Sequence, residues 1–196
     1  MSVVHVRELA PTVRLALGLE PVPARVWPGE AAAREGEDGL RPILALDLGT
    51  RTGWALRWDE GHVASGVEDF SGHRRRESLG LRVLRFRRWL RETLSLARPT
   101  LVVYERPVFY SAWHHRSVAH NLEGVLLAEI EGRREYVSPL PAVVKRHATG
   151  RGSPTRAQVL EAVRARWGRV VSDLDEADAL CLLAWALDQD AAGGGE

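Results

Sequence analysis

Cysteine is all but missing. Cys181 is the only one in 196 residues, so no disulfide can form within the chain, and there is no zinc-binding pattern. It lies inside the apolar run ALCLLAWAL, which predicts a buried small hydrophobe rather than a nucleophile or ligand. No run of 18 apolar residues occurs, which excludes a membrane-spanning helix, and the N-terminus lacks a basic, apolar, small-residue export signal. A soluble, cytoplasmic protein without a membrane partner is expected. Lysine is equally scarce: Lys145 stands alone among 26 arginines. A lone lysine in such a chain suggests a position that needs a compact, deprotonatable amine rather than a planar fork.

Charge of either sign is abundant but unevenly placed. Residues 71–98 carry nine arginines against two glutamates, a net +7, and residues 133–169 carry nine basic against two acidic residues, again +7. Residues 170–196 are −7, so the formal net charge of +1 hides basic blocks beside acidic ones. That pattern fits a polyanion-binding surface next to a carboxylate cluster, and it equally fits solvated helix faces.

The chain is organised around residues 43–56, ILALDLGTRTGWAL. Four apolar residues run into Asp47, and a Gly-Thr-Arg-Thr-Gly turn feeds a second extended run, the signature of a strand buried on both faces and paired in a hairpin. Strands are predicted at 42–47, 53–58 and 62–68, forming an antiparallel meander. Residues 74–97 switch to helical spacing, with Leu79, Val83, Phe86, Leu90 and Leu94 on one face, until Pro99 ends the helix. Residues 100–104, TLVVY, form a second wholly apolar strand that ends on Glu105 as the first ends on Asp47.

Further helices are expected at 116–131, 139–148, 154–167, with Ser153 as cap and Pro154 at the first position, and 175–187, and a short strand at 135–138. Asp175 and Asp178, three apart, share the first turn of the last helix, where the positive end of the macrodipole favours carboxylates. Glu176, Asp188 and Asp190 are expected in solvent. Residues 1–40 read as a partly flexible extension, 41–188 as the folded domain and 189–196 as a disordered tail. The aromatic segment 109–115 suits stacking on unpaired bases, and equally packing in a dimer interface or the core.

With these residues in place, the chain resembles the RuvC family of Holliday junction resolvases, within the RNase H-like superfamily. The likeness covers 43–187. It rests on LALDLGTRTGWAL, on VVYERP, on PAVVKRHATGRGSPTRAQV and on DEADAL. It implies an α/β fold with a mixed five-stranded sheet, three antiparallel strands then two parallel, and helices on both faces. It implies that Asp47, Glu105, Asp175 and Asp178 are the catalytic, metal-holding acids and that Lys145 is the active-site lysine. Arg156 stands where the family usually has a second lysine. Arginine stays protonated, so that position suits a phosphate clamp and not proton transfer. Leu48 also departs from the family pattern, and residues 1–40 have no counterpart in it. Arg51, Phe109, Tyr110, His115, Arg146, Arg151 and Arg156 are the expected DNA contacts.

Four carboxylates in one crevice are stable only when partly protonated or bound to hard cations, so two Mg²⁺ ions about 4 Å apart are expected, with Mn²⁺ as substitute. The implied reaction is paired hydrolysis of branched DNA, a four-way junction, by a homodimer that shares the junction's two-fold symmetry, leaving 5′-phosphates. Three rivals stand beside this reading. The Asp-Leu-Gly-Thr element resembles the first phosphate loop of actin-like ATPases, although the chain is short for their two domains. It also resembles the YqgF-type ribonucleases, which lack the 145–159 pattern. An inactive nucleic-acid-binding relative is the third, against which all four acids are present.

Overall fold

Side chains alternate across a strand, so each apolar run of this chain must supply two cores at once. The computed structural model, which describes residues 41–59, 62–71, 78–107, 113–130 and 132–193, bears this out. Strand β1 (Ile43–Asp47) sends Leu44 and Leu46 into one core and Ile43 and Ala45 into the other. Strand β4 (Leu101–Tyr104) divides the same way, Val102 and Tyr104 against Leu101 and Val103.

With β2 (Arg51–Asp59), β3 (His62–Asp69) and β5 (Glu135–Val137) the sheet has the order β3-β2-β1-β4-β5. The first three strands are antiparallel neighbours, and β4 and β5 run parallel to β1. The expected mixed sheet is therefore the observed one. Strand β2 begins two residues earlier than 53, because Arg51 and Thr52 already pair with Asp69 and Glu68.

Helices α1 (Leu79–Ala97) and α2 (Trp113–Ile130) cover the first core, burying Phe86, Trp89, Leu90 and Leu94 from α1 and Leu122, Leu126 and Ile130 from α2. Ser78 caps α1 by accepting from the Leu81 amide, and Arg98 closes it in the left-handed region at φ 45 ahead of Pro99. The second core lies under α3 (Pro141–Thr149), α4 (Arg156–Trp167) and α5 (Leu174–Gly193). Helix α5 is apolar almost all round, with Leu180, Leu182 and Leu183 fully enclosed, each burial contributing about 2 kcal/mol. Cys181 is buried as expected, and burial followed by the Asp178 and Glu105 charges pushes its thiol up to about 12.

Three expectations need correction. Thr155, not Ser153, caps α4, because Gln158 stands three residues after Thr155 and closes a reciprocal capping box that Arg156 denies Ser153. Helix α2 starts at Trp113 rather than 116. The last helix runs to Gly193 and not to 187, taking in residues 189–193 of the segment expected to be disordered, with Asp188 paired to Arg166 at 2.6 Å and His147 at 3.0 Å, and Asp190 to Arg41 at 2.5 Å. Glu176 is likewise engaged, accepting from the Ser65 hydroxyl at 2.5 Å. The extension 1–40 and the aromatics Phe109 and Tyr110 lie outside the described residues, as does the side chain of His115. Among the described residues no helix is long and apolar enough to cross a membrane.

Candidate active site

Strand parity decides where the two strand acids point. Asp47 follows Ile43 and Ala45 onto the face covered by α5, and Glu105, one residue past β4, follows Leu101 and Val103 onto the same face. The Glu105 amide donates to the Leu46 carbonyl at 3.2 Å, so the parallel register extends to both acids and sets them side by side at the carboxyl edge of adjacent strands. This is where open α/β sheets place ligands.

Helix α5 enters from above with its N-terminal turn over that edge, bringing Asp175 and Asp178. Asp173 caps it: its Oδ1 accepts from the Asp175 amide at 3.0 Å, and its carbonyl accepts from the Ala177 amide at 3.1 Å. The approach is possible because Gly53, opposite Asp47 in the hairpin, has no side chain; a Cβ there would lie 1.7 Å from the Asp175 carbonyl oxygen. Helix α3 follows β5 and delivers Lys145, whose Nζ lies 3.6 Å from Asp178 Oδ2. All five residues expected to carry the chemistry therefore meet at one place.

The basic contacts are more dispersed. Arg51, on the same face of β2 as Gly53, pairs with Asp175 at 2.9 Å and with Asp173. Arg156 opens α4 and donates to the Ser172 carbonyl at 3.2 Å, next to the α5 cap. Arg146, on α3, and Arg151, in the turn after it, are exposed. Two participants escaped the sequence reading. Asp173 could have been noticed as an acid at capping distance before Asp175, whereas nothing local marks Gly53 as the point where α5 crosses.

The electrostatics are those of crowded acids. Asp47 is raised well above its ordinary value by burial first, and then by Glu105, Asp178 and Asp175, against which Lys145 acts. Burial pushes Glu105 up to about 7, opposed by Lys145 and reinforced by Asp178. Asp178 is also raised, since burial outweighs the neighbouring ammonium. Burial pulls Lys145 down, but Asp178, Glu105 and Asp47 together overcome it and the amine ends above its ordinary value.

A pH dependence follows. A carboxyl raised in the folded state binds its proton more tightly there than in the unfolded chain, so its stability contribution is complete below about 4.5 and is lost as pH rises toward about 7. In chelator-treated protein, the unfolding free energy from urea titrations is expected to fall between pH 5 and pH 7.5 by up to about 3 kcal/mol through Glu105. Glu105→Gln should flatten that fall; a variant with the wild-type profile would mean that Glu105 is not the group titrating.

Oxygen-only donors of this kind suit a hard divalent cation. Glu105 Oε1 is buried and has no hydrogen-bond partner among the described residues. Among the described residues no three His, Cys, Asp or Glu side chains are already converged as a ligand set. Two of the four acids instead carry a cation of the protein's own, Arg51 on Asp175 and Lys145 on Asp178. The donors thus fit a cation by chemistry and by face, in a cleft whose helix acids are neutralised by the protein's own cations.

The sheet order, three antiparallel strands then two parallel with helices on both faces, is the fold of the solved RuvC structures. Among solved structures, the chain is similar to Thermus thermophilus RuvC, at 22% identity and a TM-score of 0.58 over 72% of this chain and 90% of that one. It is also similar to T. thermophilus RuvC in complex with Holliday junction substrate, at 22% identity and a TM-score of 0.62 over 73% and 90%. The yeast mitochondrial Holliday junction resolvase matches at 16% identity and a TM-score of 0.50 over 71% and 75%. No protein-family model matches the sequence, and a search of curated proteins finds no match.

Proposed function

We propose that this protein is a metal-dependent, structure-selective endonuclease that hydrolyses phosphodiesters in branched DNA, four-way junctions foremost, acting as a two-fold dimer. The observation that carries the reading is the meeting of Asp47, Glu105, Asp175, Asp178 and Lys145 at the carboxyl edge of β1 and β4.

In this reading the four carboxylates hold Mg²⁺, or Mn²⁺ in its place. The bound cations supply Lewis-acid stabilisation of the attacking and leaving oxygens. The protein's residues do the rest. Asp47 and Glu105 stand on the rigid ends of paired strands, while Asp175 and Asp178 close the cleft from above, so that all four would present oxygens to cations seated between them and the phosphate. Lys145, charged and aimed into the acids, neutralises charge that develops on the phosphate as water adds to phosphorus and the 3′ oxygen leaves, giving a 5′-phosphate and a 3′-hydroxyl. Arg146, Arg151 and Arg156 line the exposed approach from α3 to α4 and would hold phosphates without reading sequence.

The test is a panel of labelled four-way, three-way, linear duplex and RNA-DNA substrates with Mg²⁺ or Mn²⁺. Symmetric nicks in the four-way junction are expected. Cleavage confined to the RNA strand would favour a ribonuclease instead, and junction binding without cleavage would favour an inactive relative.

Lys145 is expected to be sensitive to its own chemistry and not only to its charge. Arginine at 145 would keep the charge but add bulk and a planar fork beside Asp178. Lys145→Arg should therefore lower the single-turnover rate at least about tenfold, a barrier change of about 1.4 kcal/mol, with little change in junction affinity. Arg156→Lys, where a phosphate contact asks only for positive charge, should be nearly silent. Equal rates for wild type and Lys145→Arg would show that the cleft asks of position 145 only a positive charge.

A further inference from the structure

We propose that Arg51 is a resident counter-ion of the acidic cleft, shared between Asp175 and Asp173 while no divalent cation is bound and left to Asp173 alone when one binds. The inference rests on the metal-dependent reading above and adds a role for a residue that the reading treats only as a DNA contact.

The geometry is a two-seat arrangement. Arg51 Nε donates to Asp175 Oδ2 at 2.9 Å, and its Nη2 donates to Asp173 Oδ2. The seats differ in kind. Asp175 is one of the four acids that would hold the cation, whereas Asp173 is committed to capping α5, its Oδ1 on the Asp175 amide and its carbonyl on the Ala177 amide. Asp173 is therefore held in place by the helix whether or not Asp175 changes partner, and its Oδ2 still faces Arg51. A cation that claims Asp175 leaves the guanidinium with a partner, so the exchange does not strand an unpaired charge.

Magnitude makes the arrangement a counterweight and not a lock. The side chains of Arg51, Asp173 and Asp175 are 47%, 33% and 35% exposed. Ion pairs this exposed are weak, and a doubly charged ion shared by several carboxylates outcompetes one. The Lys145 to Asp178 contact is longer, at 3.6 Å, and single, so it offers no second seat. Of these two cations Arg51 is the one paired with an acid outside the four, and once off Asp175 part of its fork is exposed at the mouth of the cleft, where an incoming phosphate can meet it.

The test uses the full chain, chelated and then titrated with Mg²⁺. Calorimetry on wild type, Arg51→Gln and Arg51→Lys measures affinity, while the arginine Nε–Hε resonances report where the guanidinium sits, that of Arg51 being assigned by its loss in Arg51→Gln. Arg51→Gln is expected to bind Mg²⁺ about three- to fivefold more tightly than wild type, the size of one exposed ion pair, with Arg51→Lys between them. In wild type the Arg51 resonance is expected to move in step with Mg²⁺ occupancy. Equal affinities in wild type and Arg51→Gln, or a resonance that stays put at Mg²⁺ saturation, would overturn the proposal and leave the metal-dependent reading standing. Absence of Mg²⁺ binding in every variant would instead remove that reading, and the counter-ion role with it.

Discussion

Asp47→Asn is expected to abolish junction cleavage, by at least about a thousandfold in single-turnover rate, while junction binding survives and the metal-free protein becomes harder to unfold. The two effects have one cause. Asp47 sits on the wall between β1 and β4, where burial, and then Glu105, Asp178 and Asp175, all oppose its ionisation. In the absence of a cation the fold carries that opposition as a cost. Asparagine keeps the shape of the side chain and removes the charge, so the repulsion is relieved and a donor of charge to the metal is lost together. A relief of about 1 kcal/mol would raise the melting temperature of a chain this size by roughly 2–4 °C. DNA affinity should hold, because the expected phosphate contacts are arginines on α3, α4 and β2 and not the acids. Mg²⁺-dependent cleavage by the variant would sink the assignment of Asp47 to the metal centre, and a lowered melting temperature would show that its charge stabilises the fold.

The positions of the strand acids were legible because they depend on short-range rules. Wholly apolar runs name strands buried on both faces, and parity then carries Asp47 and Glu105 to the same side once the strands pair in parallel. Lys145 on a short helix after the last strand was legible for similar reasons, through the prolines before it and Gly150 after it, although the helix starts at Pro141 and not at 139. What could not be read depends on partners far away in the chain. The helical path of residues 188–193 is held by Arg166, His147 and Arg41, the last separated from Asp190 by 149 positions. Arg51 meets Asp173 and Asp175 across 122 and 124 positions, so a residue that looked like a free phosphate contact is in fact engaged with the acids. The cap of α4 was a local matter and was misplaced by two residues, since Ser153 followed by Pro154 is a good start signal and Thr155 with Gln158 is a better one.

Gly53→Ala is expected to damage both the fold and the site, through one atom. The Cβ it adds would lie 1.7 Å from the carbonyl oxygen and 2.3 Å from the carbonyl carbon of Asp175. These are backbone atoms in the first turn of α5, so no rotamer change removes the clash, and the strand and the helix must part by more than about 1 Å before the steric overlap is relieved. Helix α5 cannot lift freely, because Leu180, Leu182 and Leu183 behind that turn are fully buried against the sheet and α4. The overpacking should cost about 3 kcal/mol of stability. The displacement falls on Asp175 and its neighbour Asp178 relative to Asp47, and a misplacement of that size is expected to slow cleavage about a hundredfold even where the protein remains folded. Gly66→Ala is the matched control. It removes a glycine from β3, the other strand paired with β2, and its Cβ would meet the buried Trp54 ring at 3.1 Å on the core face away from α5, so that ring must give by a few tenths of an ångström. Thermal unfolding and single-turnover cleavage of the two variants should therefore separate, with Gly66→Ala mildly destabilised and close to wild type in rate. If Gly53→Ala melts and cuts like Gly66→Ala, the close approach of α5 to β2 is not what holds the helix acids over the strand acids.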